Sequence, residues 1–251
     1  MVDRFRARSA VRTAVVWEVL RAALADRSAA LGRPVLDVLD AGGGTGGFAV
    51  PLAELGHQVT VVDPSPDALA ALERRAAEAG VTRRVRAIQG DAAGLLDVVD
   101  PASVDALLCH GVLEVVDDPT TALAAVAKVL RSGGVASVLA ANRHAVVLSR
   151  AIGGHFGQAG RALSDAAGRW GDSDPVPRRF DLAELSTLVA AAGFAVVQAH
   201  GIRVFSDLVP GALVDGEPGA ADALLALEAA ASEQPAFREI ATQLHVLAAR
   251  H

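Results

Sequence analysis

The stretch VLDAGGGTGGFAVPLAELG, residues 38–56, decides the fold. An apolar run ending in Asp40 enters a glycine-rich turn and leaves it as a helical pattern, the order strand, turn, helix. Glycine lets the backbone turn sharply and come close to a ligand, and the first N–H groups of the following helix are donors with no partner inside it. The stretch therefore reads as a nucleotide-type cofactor site at a strand end. Two patterns fit the same residues: Gly42, Gly44 and Gly47 satisfy the dinucleotide pattern G-x-G-x-x-G, and Asp40, Gly42, Gly44 and Gly46 satisfy an acidic residue followed by alternate glycines. The turn alone does not choose between them.

Outward from that turn, strand-like runs recur at 35–39, 58–62, 85–88, 104–109 and 135–140, separated by Ala- and Leu-rich helical stretches. The alternation predicts an α/β fold of Rossmann type, a doubly wound and mostly parallel sheet. After residue 140 the rhythm breaks into a Gly- and Arg-rich segment with no clear period up to Arg179. A helix follows, with Asp181 as its N-cap and Gly193 at its end, then a strand at 194–199, a second insertion over 202–242 with an Ala/Leu helix near 219–231, and a last strand at 243–249. The expectation is a single domain, residues 1–251, whose two insertions, 141–180 and 202–242, form a cap.

Composition narrows the class. The chain has 251 residues, is 52% hydrophobic and carries a net charge of −6. No apolar run approaches the roughly 18–20 residues of a membrane span, and the N-terminus has arginines but no apolar signal core. The lone Cys109 excludes an intrachain disulfide, and the histidines show no ligand spacing, so no metal is expected. These features together lead to the expectation of a cytoplasmic protein. Arginine is concentrated in residues 1–34 and 142–180, which leaves local basic faces that either meet RNA or are plain solvated helix surface.

The strand ends carry the chemistry. Asp63 closes the second strand about 20 residues after the glycines, where a carboxylate accepts the ribose hydroxyls of a nucleoside cofactor. Asp91 and Ala92, in QGDA, follow the third strand and either meet an adenine edge or form a solvated turn. Asp40 either attracts a cationic amino group or caps the loop's own N–H groups. His110 is either a cofactor contact or a hydrogen-bonded structural histidine. Arg203, Asn142, His144 and His245 come from segments flanking the insertions. Cys109 reads as a core thiol.

The ordered set DAGGGTG, VVDPS, QGDA, DALLCHGVLEVVDDP and KVLRSGGV resembles the motif series of class I S-adenosylmethionine (SAM)-dependent methyltransferases, and this favours the acidic-and-glycine pattern over an NAD-type oxidoreductase. Ser132 stands where many such enzymes have proline in the leader to the fifth strand. More narrowly, VRTAVVWEVL, CHGVLEVVDDP, NRH at 142–144, GIRVFSDL at 201–208, LLALEAAASEQPAF at 224–237 and LHVLAAR at 244–250 are similar to the bacterial tRNA 5-carboxymethoxyuridine methyltransferase family. That resemblance implies a seven-stranded sheet with an antiparallel last strand. It also implies S-adenosyl-L-methionine as cofactor, with Arg12 near its carboxylate, Gly42 and Gly43 around it, Asp63 on its ribose and His110 against it. The acceptor it implies is a carboxylate on modified tRNA. Residues 158–170 hold only Arg161 and Arg169 where that family has a run of lysines, so a small carboxylate or hydroxyl molecule stays open as acceptor, as does a SAM-binding module without transfer. An ionised carboxylate needs no general base, only cationic groups to orient it. Arg203 is the first candidate for that role, supported by Asn142 and His144.

Overall fold

The computed structural model describes the backbone of residues 2–251 and the side chains from Arg12 onward. Ten α-helices and seven strands occur among the described residues. The strands are β1 (Asp37–Ala41), β2 (Gln58–Asp63), β3 (Val85–Gln89), β4 (Val104–His110), β5 (Leu130–Ala141), β6 (Phe194–Ile202) and β7 (Gln243–Arg250). They form one sheet in the order β3-β2-β1-β4-β5-β7-β6, with β7 antiparallel. The helices are α1 (Val2–Leu31), α2 (Ala49–Glu54), α3 (Pro66–Glu78), α4 (Pro119–Val129), α5 (Arg143–Ile152), α6 (Phe156–Ser164), α7 (Leu182–Ala191), α8 (Gly211–Gly216), α9 (Ala220–Ser232) and α10 (Pro235–Arg238).

The chain divides into two compact units. The larger one contains Ala22–Leu139, Ser186–Gln198 and Val246–His251. At its centre β1 pairs in parallel with β2 (Val38 opposite Val59) and with β4 (Val38 opposite Ala106). Val38, Leu39 and Ala41 are fully buried, as a strand covered on both faces must be, which is why this stretch is continuously apolar rather than alternating. The strand order reverses between β1 and β4, so the carboxyl ends of these two strands open the crevice where such sheets hold ligands. Helix starts here are written in the sequence. Ser65 accepts from the Ala68 N–H and precedes Pro66, and Asp118 accepts from the N–H groups of Thr120 and Thr121 and precedes Pro119.

At the far end of β4 from His110, Asp105 is completely buried. Arg33, the Asp37 N–H at 2.9 Å and Arg131 at 2.8 Å surround it. Burial pushes its acidity down in strength, but the Asp37 N–H and the two guanidiniums outweigh this and hold the carboxyl below its usual range. β5 is longer than its apolar run suggests. It starts at Leu130, opposite Val104, and resumes at Val135, opposite Ala106, so the leader 131–134 is a bulge inside the strand rather than a turn before it.

The second unit gathers the N-terminal stretch to Arg21 with Ala140–Leu185 and Ala199–His245, so both expected insertions belong to it. The segment that showed no period contains α5 and α6. It is fastened by a buried Arg179, whose guanidinium donates to both Asp174 oxygens at 2.7 and 3.0 Å, the two-pronged geometry that makes such a pair worth burying. Asp181 caps α7 as expected, accepting from the Glu184 N–H at 2.8 Å. His245 lies fully buried in β7, its Nδ1 3.3 Å from that of His200 on β6.

Candidate active site

The glycine turn is tied to the two strands beside it. Gly42 N–H donates to the Val62 carbonyl at 2.7 Å, and Gly44 N–H to Asp63 Oδ2 at 2.9 Å. Asp63 Oδ1 accepts from the Ser65 N–H at 2.9 Å, so this one carboxylate fixes both the glycine loop and the start of α3. Each carboxylate oxygen has a second lone pair for a ligand hydroxyl. Gly44 has φ +54°, a conformation that suits glycine, and a Cβ there would make only ordinary contacts. At Gly43, by contrast, a Cβ would land on the Asp40 carboxyl group.

These elements line a cavity of about 600 Å³, well within the range of small-molecule sites. Gly42, Asp63, Asp91 and Ala92 come together on its wall, with Val62, Gly111, Val112, Val115 and Val116 as apolar lining. Asp91, which lines the cavity, holds its own turn, Oδ1 accepting from Ala93 N–H at 2.9 Å and Gly94 N–H at 2.7 Å. A nucleoside needs an apolar slot for the base and carboxylate acceptors for hydroxyl and amino hydrogens. The lining offers both.

Two titratable groups beside this cavity are strongly perturbed. Burial, and secondarily the neighbouring Asp63, raises the Asp40 carboxyl to about 7, so it is half-charged near neutrality and would be drawn to the anionic form by a bound cation. Burial lowers His110 to about 3, leaving a neutral imidazole whose Nε2 is 2.8 Å from Ser137 Oγ and whose ring packs edge-on to Phe48 at 4.8 Å. Cys109 is buried and its thiol is pushed up to about 12 by burial, then by Glu114 and Asp40. It is a core residue and no thiolate competes for an electrophile.

The remaining candidates fall in the second unit, in two places. Arg12 Nη2 meets Asp207 Oδ1 at 2.9 Å, and Arg203 Nε lies 3.3 Å from Asp207 Oδ2. One carboxylate is thus bracketed by two guanidiniums. Arg203 has φ +59°, in the left-handed region that side chains disfavour. Burial lowers its affinity for a proton, partly countered by Asp207. Asn142 and His144 sit elsewhere. The two amide hydrogens of Asn142 go to the Glu239 and Ala241 carbonyls at 2.9 and 2.8 Å, and its oxygen caps α5 through the His144 N–H at 3.0 Å. His144 Nδ1 is 3.0 Å from the Glu239 carbonyl oxygen. Asn142 thus spends both amide hydrogens and its oxygen within the protein, fastening the start of α5, and His144 is held through Nδ1.

Asp207 and Glu228 escaped sequence reasoning. Asp207 was visible in GIRVFSDL, four residues after Arg203, but only the fold brings Arg12 to it. Glu228 is 2% exposed and receives backbone N–H groups of the same turn. A lone acid in the Ala/Leu-rich α9 resembles any solvated helix residue. The N-terminal arginines Arg4, Arg6 and Arg8 lie outside the residues whose side chains are described.

A methyltransferase-domain family profile matches residues 39–138, the glycine turn through β5. The tRNA 5-carboxymethoxyuridine methyltransferase of Escherichia coli (strain K12) is 31% identical over 238 residues, covering 95% of this chain and 87% of that protein. The chain belongs to the class I SAM-dependent methyltransferase family, and is an enzyme that uses S-adenosylmethionine. The similarity to the E. coli protein runs through both insertions. The ubiquinone biosynthesis O-methyltransferase of Xanthomonas euvesicatoria pv. vesicatoria (strain 85-10) is 34% identical over 119 residues, 47% of this chain and 48% of that one. Among solved structures, an S-adenosylmethionine dependent methyltransferase from Mesorhizobium loti superposes with a TM-score of 0.62 at 21% identity, over 96% of this chain and all of that one. Among the described residues no helix is long and apolar enough to cross a membrane, and no cluster of three or more His, Cys, Asp or Glu could hold a metal.

Proposed function

We propose that this methyltransferase esterifies a carboxylate carried on a modified tRNA wobble uridine. The observation that carries the reading is the extent of the similarity to the E. coli tRNA enzyme, 95% of this chain including both insertions. The Arg203 guanidinium supports it, since it already meets a carboxylate, that of Asp207. When bound, SAM supplies a sulfonium-activated methyl group. Gly42, Gly43 and Gly44 would shape its cradle, Asp63 would take the ribose, Asp91 and the Ala92 N–H the base, Asp40 its cationic end, His110 would serve as a neutral ring beside it, and Arg12 would take its carboxylate.

The acceptor carboxylate is ionised at neutral pH and is itself the nucleophile, so no base is required. The chain's work is positioning: Arg203 would hold the acid through its guanidinium, and the insertions would carry the acceptor-binding residues. A positively charged fork holds a carboxylate by two parallel hydrogen bonds without protonating it. Incubation of the enzyme with labelled SAM and bulk tRNA, followed by nucleoside mass spectrometry, should show an alkali-labile methyl ester on the wobble base. Label found only on small metabolites would replace this reading with the alternative, a small-molecule carboxylate or hydroxyl. The scarcity of cations in residues 158–170 and the partial similarity to a ubiquinone-pathway O-methyltransferase favour that alternative.

A further inference from the structure

We infer that Glu228 is a positioning residue for Arg203, its carboxylate gathering the N–H groups of the three residues after that arginine and locking the turn in which the guanidinium is presented. The inference rests on the reading of Arg203 as the anchor of the acceptor carboxylate.

Glu228 Oε2 accepts from the Val204 N–H at 2.8 Å, and Oε1 from the Phe205 and Ser206 N–H groups at 3.0 and 2.6 Å. Three successive N–H groups converge on one anion only where the backbone curls into a concave nest, and the left-handed φ of +59° at Arg203 provides that curl. Glycine would take this conformation without strain. The chain has an arginine there instead, so the strain is balanced by the anion in the nest, the pattern of a backbone held off its preference where a side chain has work to do.

The location of the acid argues in the same direction. Glu228 lies on α9 among alanines and leucines and is 2% exposed. Burying an ionised carboxylate is unfavourable unless its lone pairs are filled. Here they are filled by the main chain of GIRVFSDL, beside Val204, Ala231 and Ala241, which pack into one apolar cluster with Phe205. The charge also reaches Arg203 directly, adding to Asp207 in sustaining a desolvated guanidinium. Thus α9 sets the backbone at 203–206, and Asp207 sets the guanidinium itself.

The test is a double-mutant cycle with bulk tRNA as acceptor and SAM binding measured separately. Glu228→Gln keeps the shape but replaces one accepting oxygen with a donor. It should leave SAM affinity within about twofold and lower kcat about tenfold, as Arg203→Lys does, and the double variant should be no more than about twofold below the worse single, because both act on one group. Multiplying losses, or an unchanged kcat in Glu228→Gln, would overturn the inference. No transfer to tRNA by the wild type would overturn the tRNA reading alone, and the inference then stands or falls on melting temperature. The fall in Tm caused by Glu228→Gln should be at most half as large in an Arg203→Gly background, where the strain is gone, and equal falls overturn it. If Glu228→Gln alone does not fold, a folded Glu228→Gln, Arg203→Gly double variant supports the inference, and loss of both refutes it.

Discussion

The glycine turn at 42–47 and the arginine turn at 201–208 both hold backbone in unusual shape beside charged groups, yet they are built in opposite ways. In the first, glycines take the shape freely, and the acid that fixes it, Asp63, closes the adjacent parallel strand. In the second, an arginine takes a disfavoured shape, and the acid that fixes it comes from a helix in an insertion. A loop made of permissive residues tolerates loss of its tether better than loss of a glycine. A loop made of a strained residue depends on its tether. Substitutions can break or sharpen this contrast.

The largest effect is expected at Gly43. A valine there would drive its Cβ into the Asp40 carboxyl, and both the loop and the cradle would have to move, so SAM binding by calorimetry should fall below detection while the protein remains folded. Binding within tenfold of wild type would remove Gly43 from the cradle. Next is Asp63→Ala, which deletes the proposed ribose acceptor together with the tether of Gly44 and Ser65. Charged hydrogen bonds are worth about 1.5–3 kcal/mol, so SAM affinity should drop roughly tenfold to a hundredfold. An unchanged affinity would show that the loop needs no tether and that the ribose is held elsewhere.

Arg203→Lys should leave SAM affinity as it is and reduce turnover at saturating SAM about tenfold, since a point charge replaces an orienting fork. Lost SAM affinity with normal turnover would make Arg203 a cofactor or structural residue and collapse the comparison of the two turns. The smallest effect is on pH. With its carboxyl at about 7 in the free protein, Asp40 is protonated and neutral in acid, and a cationic ligand end favours its charged form. SAM affinity should therefore rise with pH through this window, about fourfold from pH 6.5 to 8, and level off above it. His110, held neutral from about 3 upward, adds no step. The rise should vanish in Asp40→Asn, and a persisting rise would assign it to another group.

Much of the first region was legible from sequence because its signals are local. Strand, glycine turn and helix are consecutive, Asp63 ends its own strand, and caps such as Ser65, Asp118 and Asp181 act within three residues of themselves. Legibility failed where the partner is distant. The segment up to Arg179 reads as irregular because Gly153, Gly154 and Gly168 interrupt it, although α5 runs up to Gly153, α6 lies between Gly154 and Gly168, and a buried Arg179 pairs with Asp174. Asn142 and His144 read as ligand donors because polar residues after a strand end often are; their hydrogen bonds to the distant carbonyls of Glu239 and Ala241 have no local signal.

By itself the sequence determined the doubly wound sheet, the order of strand, glycine turn and helix with Asp63 closing the next strand, and the family to which these belong. Each follows from hydrophobic period, turn chemistry or residues a few positions apart, which short-range sterics and hydrogen bonding enforce in any tertiary context. Only the tertiary structure decided the ionisation of Asp40, the neutrality of His110, the bracketing of Asp207 by Arg12 and Arg203, and the capture of the Val204–Ser206 main chain by Glu228. Those depend on burial and on charges brought together from separate stretches of chain, and neither desolvation nor long-range Coulomb energy has a local signature in sequence.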